Sequence, residues 1–351
     1  MVAGQPKGED NMSFNVNKLN ILYETPVEYL PSISKELGID FYLKRDDLTP
    51  LGAGGNKLRK LEYLVQDAID QGATALITVG GGQTNHGRQT AAMAAKYGLK
   101  CSIIAIDEYP GELSANMLLD RLFGCDLYLK KSDGRPGSVQ MDELIEKVTK
   151  DYEAQGEKVY FIPMGGSNVL GALGYYDCAL ELDRQAKEMG LEGARVIDTV
   201  GSMGTFAGLF CGLKDIRSSL HLTGIAILPF NEKGVKNLEQ YINDVKETYG
   251  MDFEFDPEEI DLETGYVRGG YNLPSKEVRE AVKLMASKEG ILMDPCYTGK
   301  AFAGIIDMVK EGKIKKGEKV IFIHTGGMPG LYTYSHRIEF EKELMDGVHI
   351  L

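Results

Sequence analysis

Short β-branched runs recur along this chain, and nearly every one is followed by a longer segment with helical spacing. The spacing predicts strands at Phe41–Lys44, Ala75–Val79, Ser102–Ile106, Asp126–Leu129, Val159–Ile162, Val196–Val200, Gly224–Leu228 and Val320–Ile323. Between them it predicts helices such as Lys57–Asp70, Thr84–Tyr97, Glu112–Phe123, Met141–Glu153, Ala172–Met189, Phe206–Lys214, Ser275–Lys288 and Lys300–Lys310. Parallel neighbours need a crossover, and a helix is the usual one, so this alternation implies an α/β fold. Its sheets should be open, mostly parallel and twisted, with helices on their faces. At roughly 150 residues per domain, 351 residues make about two domains. No 20–50-residue repeat is visible. Ser132–Ser138 reads as a surface turn and Glu311–Glu318 as a solvated loop. The acidic stretch Glu247–Glu263 is expected to be exposed and loop-like, and Met1–Met12 a loose polar tail.

Glycine supplies 42 residues, well above the ~7% usual in proteins. The clusters Gly80–Gly82, Gly165–Gly166, Gly201 with Gly204, and Gly326–Gly327 fall at the carboxyl ends of strands. Ligands bind there in open parallel sheets, and glycine lets a ligand approach the backbone N–H groups. The 39 basic against 52 acidic residues give a net charge of −13 with no Lys/Arg-rich run, which argues against nucleic acid as a partner. Five scattered cysteines without a CxxC pair read as reduced thiols of a cytoplasmic protein rather than a disulfide or zinc framework. The histidines show no metal-binding spacing, and no metal is expected. The apolar stretch Val200–Leu213 is shorter than the ~20 residues that span a bilayer, so no membrane partner is expected.

Lys57 opens a helix on the face that also carries Leu61, Leu64 and Ala68, after the small residues Gly52–Gly55. Burial and the positive helix end both disfavour its charge, which suits a Schiff-base nucleophile. The alternative is a lysine that snorkels or pairs with Asp46 or Asp47. Gly201-Ser202-Met203-Gly204-Thr205 joins a strand to a small-residue helix and can cradle a phosphate, without the lysine of a P-loop. In Gly80–Arg88, Thr84 and Asn85 lie where a helix N-terminus welcomes a carboxylate. The same segment, with Asp107 after the next strand, partly mimics a dinucleotide fingerprint, but Asn85 takes the third glycine position. Tyr271 and Tyr297 sit in Gly/Pro-rich turns and carry little information alone.

Together, KRDDLTPLGAGGNKLRKLEYL (44–64), GGGQTNHGRQTAA (80–92), IPMGGSNVLGALGY (162–175), GSMGTFAGL (201–209), DPCYTGKAFAGIID (294–307) and IFIHTGGMPGL (321–331) resemble the D-cysteine desulfhydrase/ACC deaminase family. The likeness runs from about Tyr23 to Tyr334. It implies pyridoxal 5'-phosphate as cofactor and the tryptophan-synthase-β fold (fold type II). It also implies a large domain of residues 1–55 plus 162–351, a small one of residues 56–161, and a homodimer. By resemblance, Lys57 carries the cofactor as a Schiff base. Gly201, Ser202, Met203, Gly204 and Thr205 hold its phosphate, and Asn85, Thr325 and Tyr297 contact the ring. Thr84, Asn85, His86 and Tyr271 receive the substrate, while Tyr271 and Tyr297 also flank the ring and assist proton transfer beside Lys57 and Thr84.

Where ACC deaminases have a Tyr-Glu-Gly turn, this chain has Tyr297-Thr298-Gly299, with a hydroxyl at Thr325. A neutral partner for the ring nitrogen makes a milder electron sink. The resemblance therefore implies α,β-elimination from a small β-substituted amino acid, with D-cysteine going to pyruvate, ammonia and hydrogen sulfide. Thr84, Gly81-Gly82, Phe206, Asn272 and Ser275 depart from the family pattern. L-Cysteate sulfo-lyase and ACC deaminase therefore stand as alternatives. A nicotinamide-dependent dehydrogenase and a catalytically silent ligand-binding relative are the readings from other classes.

Overall fold

The computed structural model describes residues 14–350, so the tail expected at Met1–Met12 lies outside the described residues. The strands are β1 (Val27–Tyr29), β2 (Asp40–Lys44), β3 (Ala75–Val79), β4 (Lys100–Ala105), β5 (Asp126–Leu129), β6 (Val159–Ile162), β7 (Arg195–Val200), β8 (His221–Ala226), β9 (Asp261–Glu263) and β10 (Lys319–Ile323). The helices are α1 (Pro31–Leu37), α2 (Lys57–Asp70), α3 (Asn85–Tyr97), α4 (Ala115–Leu122), α5 (Gly137–Glu153), α6 (Val169–Glu188), α7 (Gly204–Asp215), α8 (Glu232–Tyr249), α9 (Lys276–Glu289), α10 (Thr298–Lys310) and α11 (Tyr334–Leu344).

The strands form two sheets, one in the order β1-β2-β10-β7-β8-β9 and the other in the order β5-β4-β3-β6. Every pairing is parallel except that of β1 with β2. In the larger sheet Val320 stands opposite both Phe41 and Arg195. In the smaller one Leu76 stands opposite Cys101 and Tyr160. Central strands read as continuous apolar runs because helices cover both faces: Ala75–Val79 is buried throughout. On β7, Ile197 faces the core shared with α1, α9 and α10, whereas Val196 and Val200 face α6 and α7.

The α/β fold with open, mostly parallel sheets agrees with the expectation, and strand ends differ from it by a few residues. Two local expectations need correction. Glu247–Glu263 is not simply an exposed loop. It begins in the last turn of α8 and ends in the edge strand β9. Between them Met251 and Phe253 are buried while Asp252 and Glu254 are exposed. The acids alternate with apolar residues at the strand period, so one side of the segment packs under α8. The expected helix Glu112–Phe123 is shortened to α4, because the chain stays extended through Ser114 and enters the helix through a left-handed Ala115 (φ 51°).

The carboxyl ends of β3, β6, β7 and β10 lead into Gly80–Asn85, Gly165–Ser167, Gly201–Thr205 and Thr325–Gly327. These four glycine-bearing segments, with the start of α2, frame the candidate site.

Candidate active site

Lys57 is the first residue of α2 and is half-buried. Burial lowers its amine to a pKa of about 8, opposed by the nearby Asp198 carboxylate. The two carboxylates named as its alternative partners, Asp46 and Asp47, are engaged elsewhere. Asp46 accepts Arg59 Nη2 at 2.8 Å and Thr25 Oγ1 at 2.7 Å, and Asp47 accepts Arg45 Nε at 2.9 Å. The face of α2 bearing Leu61, Leu64 and Ala68 is buried as expected, but so is the face bearing Arg59. That guanidinium tolerates burial because Asp46 and Glu181 both neutralise it.

Gly201–Thr205 runs from β7 into the N-terminus of α7, with Met203 left-handed at φ 67°. Asn56, just before Lys57, donates from Nδ2 to Thr205 Oγ1 at 3.0 Å and ties the two segments together. Ser167 Oγ donates to Ser202 Oγ at 2.9 Å, and Lys60 Nζ donates to Gly165 O at 3.2 Å and Ser167 Oγ at 3.3 Å. A Cβ on Gly204 would lie 2.8 Å from Lys60 Nζ, so only glycine lets the turn close over that ammonium. Burial pushes the Lys60 amine well below its ordinary pKa, and the neighbouring Lys57 adds to the effect. Near both lysines, Asp198 on β7 is fully buried, and neither carboxylate oxygen has a side-chain partner among the described residues. Burial raises its pKa to about 7, against the pull of the two lysines.

Thr84 is the N-cap of α3, and its hydroxyl accepts from Gly87 N at 3.3 Å. Asn85 Oδ1 accepts from Arg88 Nη1 at 3.1 Å and from Asn116 Nδ2 at 3.0 Å. His86 is set apart from this pair, for its Nε2 meets Thr78 Oγ1 at 2.8 Å and its Nδ1 has no partner among the described residues. A Cβ on Gly166 would sit 3.5 Å from both His86 Cε1 and Lys60 Cβ, so the imidazole and the Lys60 side chain both border Gly166. Burial, with the two lysine charges, holds that imidazole well below its ordinary pKa. Asp107 accepts from Gly82 N at 3.0 Å, so the acid that a dinucleotide ribose would need instead secures the loop.

The hydroxyls of Tyr271 and Tyr297 are hydrogen-bonded, with ring centroids 5.8 Å apart at 80°. Tyr297 Cε1 lies 3.5 Å from where Gly201 would carry a Cβ, so the tyrosine pair stands beside the Gly201 turn. Burial raises both phenols and keeps them protonated at neutral pH. Asp294 fixes the Tyr297 backbone by accepting from Cys296 N, Tyr297 N and Thr298 N at 2.8–2.9 Å. Gly327 is wedged between Asp294 and Asn85: its Cβ would fall 2.8 Å from Asp294 Cγ and 3.0 Å from Asn85 Nδ2. Thr325 closes the circle, as its carbonyl accepts from Asn56 N at 3.1 Å.

A half-buried amine thus opens a helix tied through Asn56 to the glycine turn at the start of α7, with two protonated phenols beside that turn. Residues 19–326 match the family described as pyridoxal-phosphate dependent enzyme. The chain belongs to this family. It is 40% identical over 318 residues to a Pyrococcus abyssi protein provisionally named 1-aminocyclopropane-1-carboxylate deaminase, covering 91% of this chain and 93% of that one. It is 42% identical over 318 residues to a D-cysteine desulfhydrase of Klebsiella pneumoniae, covering 88% of this chain and 93% of that one. A crystal structure described as an ACC deaminase homologue superimposes with a TM-score of 0.83 at 35% identity, over 95% of this chain and 97% of that one. The protein is therefore a pyridoxal-phosphate enzyme of fold type II, in the elimination and deamination group of these relatives.

The residues fit that cofactor. Lys60, buried with only neutral hydrogen-bond acceptors and its amine held down by burial, is a group that a phosphate dianion at α7 would hold protonated and pair with. Lys60 and Ser167 are functional candidates that sequence reasoning missed. Lys60 lies three residues after Lys57 and so on the same side of the helix, a spacing that could have marked it. Asp198 left no such signal inside an otherwise apolar strand.

Proposed function

We propose that this chain catalyses α,β-elimination from a β-substituted amino acid, with D-cysteine and water giving pyruvate, ammonia and hydrogen sulfide. The observation that carries this choice is the absence of a free carboxylate at the Tyr297 turn among the described residues. Thr298 is buried, and its hydroxyl donates to Asp294 Oδ1 at 2.8 Å. Asp294 itself is saturated by backbone N–H groups, and the hydroxyl of Thr325 at the end of β10 has no partner among the described residues. A neutral hydroxyl facing the ring nitrogen favours expulsion of a good β-leaving group over opening of an unactivated ring.

Pyridoxal phosphate, when bound, supplies the electron sink that makes the α-proton acidic. The chain supplies the rest. Lys60, Ser202 and the N–H groups of Gly201–Thr205 hold the phosphate. Thr84, Asn85 and the N-terminus of α3 take the substrate carboxylate, to which His86 contributes its backbone N–H. With an amine pKa near 8, Lys57 is the group that accepts the α-proton. Tyr271 and Tyr297, whose phenols stay protonated, donate toward the departing sulfur. The small domain of residues 56–161 and the large one of residues 1–55 with 162–351 enclose the cofactor between them. The proposal extends to a cytoplasmic enzyme working as a homodimer, which analytical ultracentrifugation checks.

Lys57→Ala should abolish the visible absorbance of the loaded protein and reduce turnover at least ~10³-fold; an unchanged spectrum with undiminished turnover would sink the assignment. The substrate is decided by a screen of both enantiomers of cysteine, cysteate, β-chloroalanine and serine, together with 1-aminocyclopropane-1-carboxylate. Pyruvate, ammonia, sulfide and sulfite are measured in parallel. Sulfite from L-cysteate without sulfide from D-cysteine would replace the first choice.

A further inference from the structure

Asn116, on the first turn of α4, is almost completely buried and uses its backbone N–H and both polar atoms of its side chain on the segment that carries Thr84, Asn85 and Arg88. Its backbone N–H donates to Gln83 Oε1 at 2.9 Å. Its Nδ2 donates to Gln83 O at 2.7 Å and to Asn85 Oδ1 at 3.0 Å. Its Oδ1 accepts from Arg88 Nη1 at 2.9 Å. Arg88, also fully buried, donates from Nη1 to Asn85 Oδ1 at 3.1 Å and from Nη2 to Gly54 O at 2.8 Å.

Two donors therefore converge on Asn85 Oδ1, one of them cationic. If the Asn85 amide turned over, its NH₂ would face both donors and leave one N–H of each unpaired in a buried place, an unfavourable exchange. The amide is held one way round, with Nδ2 directed toward Gly327, where a Cβ would come within 3.0 Å of it. From these contacts we infer that Asn116 is a positioning residue that makes Asn85 a hydrogen-bond donor to the ligand. It thereby gives the site its preference for a carboxylate over a neutral amide. This inference rests on the reading of Asn85 as a substrate contact. It brings α4, which supplies no group to the proposed chemistry, into substrate recognition.

The consequence is directional. In Asn116→Asp the residue keeps an acceptor for Arg88 but presents its other oxygen to Asn85 and to Gln83 O, which loses its donor and accounts for a loss of stability common to all ligands. Asn85 then satisfies that oxygen by turning its NH₂ inward, and its own carbonyl oxygen faces the ligand. An acceptor facing a carboxylate repels it, whereas an acceptor facing a carboxamide can pair with the amide N–H.

The test uses the cofactor-loaded protein with glycine and glycinamide, neither of which has a β-carbon to lose a leaving group. Binding is followed by calorimetry and by the shift of the visible band. Asn116→Asp should weaken glycine binding roughly tenfold or more while glycinamide changes little. The same substitution in an Asn85→Ala background should add almost nothing, because its effect passes through Asn85. Equal losses for glycine and glycinamide, or additive losses in the double variant, would overturn the inference. If Asn116→Asp does not fold, Asn116→Ala enters the same cycle, with Tm measured beside each binding constant. A wild-type protein that binds neither pyridoxal phosphate nor glycine would overturn the underlying site as well. Normal wild-type binding with additive variants would overturn the inference alone.

Discussion

Asp198 shows how a single residue sets a pH response. Burial raises its carboxyl from 3.8 to about 7, so between those values the folded protein binds a proton that the unfolded chain has released. Stability contributed by this site therefore falls as pH rises through that window. Lys57 acts on the other side, its amine being lowered by burial from 10.5 to about 8. Its penalty is complete below pH 8 and is relieved as pH rises toward the unfolded value. In protein stripped of pyridoxal phosphate, the two together should give a minimum between about pH 7 and 8. Asp198→Asn should remove the acid-side fall, a difference on the order of 2–4 kcal/mol between pH 4 and 7.5. Urea titrations of both proteins across pH measure it, and parallel curves would refute the assignment. Lys57 was legible from its position before Leu61 and Leu64. Asp198 was not, because its partners Lys57 and Lys60 come from a helix about 140 residues earlier in the chain.

Where β2, α2 and α6 meet, the ion network is the element-scale counterpart. Asp46 receives Arg59 and Thr25 and also the hydroxyl of Tyr175. Lys44 is fully buried, pairs with Glu181 and donates to Gln185 Oε1 at 2.7 Å. Removing one member leaves others charged and buried, which costs far more than an exposed pair would. Asp46→Ala should lose about 3–5 kcal/mol of stability, read from chemical denaturation, whereas Lys150→Ala at an exposed α5 pair should cost well under ~1 kcal/mol. Comparable losses for the two would show that the network contributes no more than surface charge. Strands and helices were legible here because periodicity is local. The burial of Arg59 was not, since it depends on Glu181 arriving from another helix.

For the whole molecule, the −13 net charge opposes any anion approaching from solution, while in the proposed site Lys60 and the α7 N-terminus would attract it at short range. Salt screens the distant field more than the buried contacts. Association of pyridoxal phosphate with the stripped protein should therefore quicken between about 20 and 200 mM salt, in stopped-flow absorbance. A rate that falls with salt would mean the local lysines dominate even at long range. The sequence by itself determined the α/β alternation, the glycine-bearing strand ends and the lysine that opens α2, since each rests on spacing within a few residues. Only the tertiary structure brought Lys60 and Ser167 to the Gly201–Thr205 turn, turned His86 inward, and set Asn116 against Asn85. Each of these depends on segments from different parts of the chain converging at the ends of parallel strands, and no local pattern records which side chains meet there.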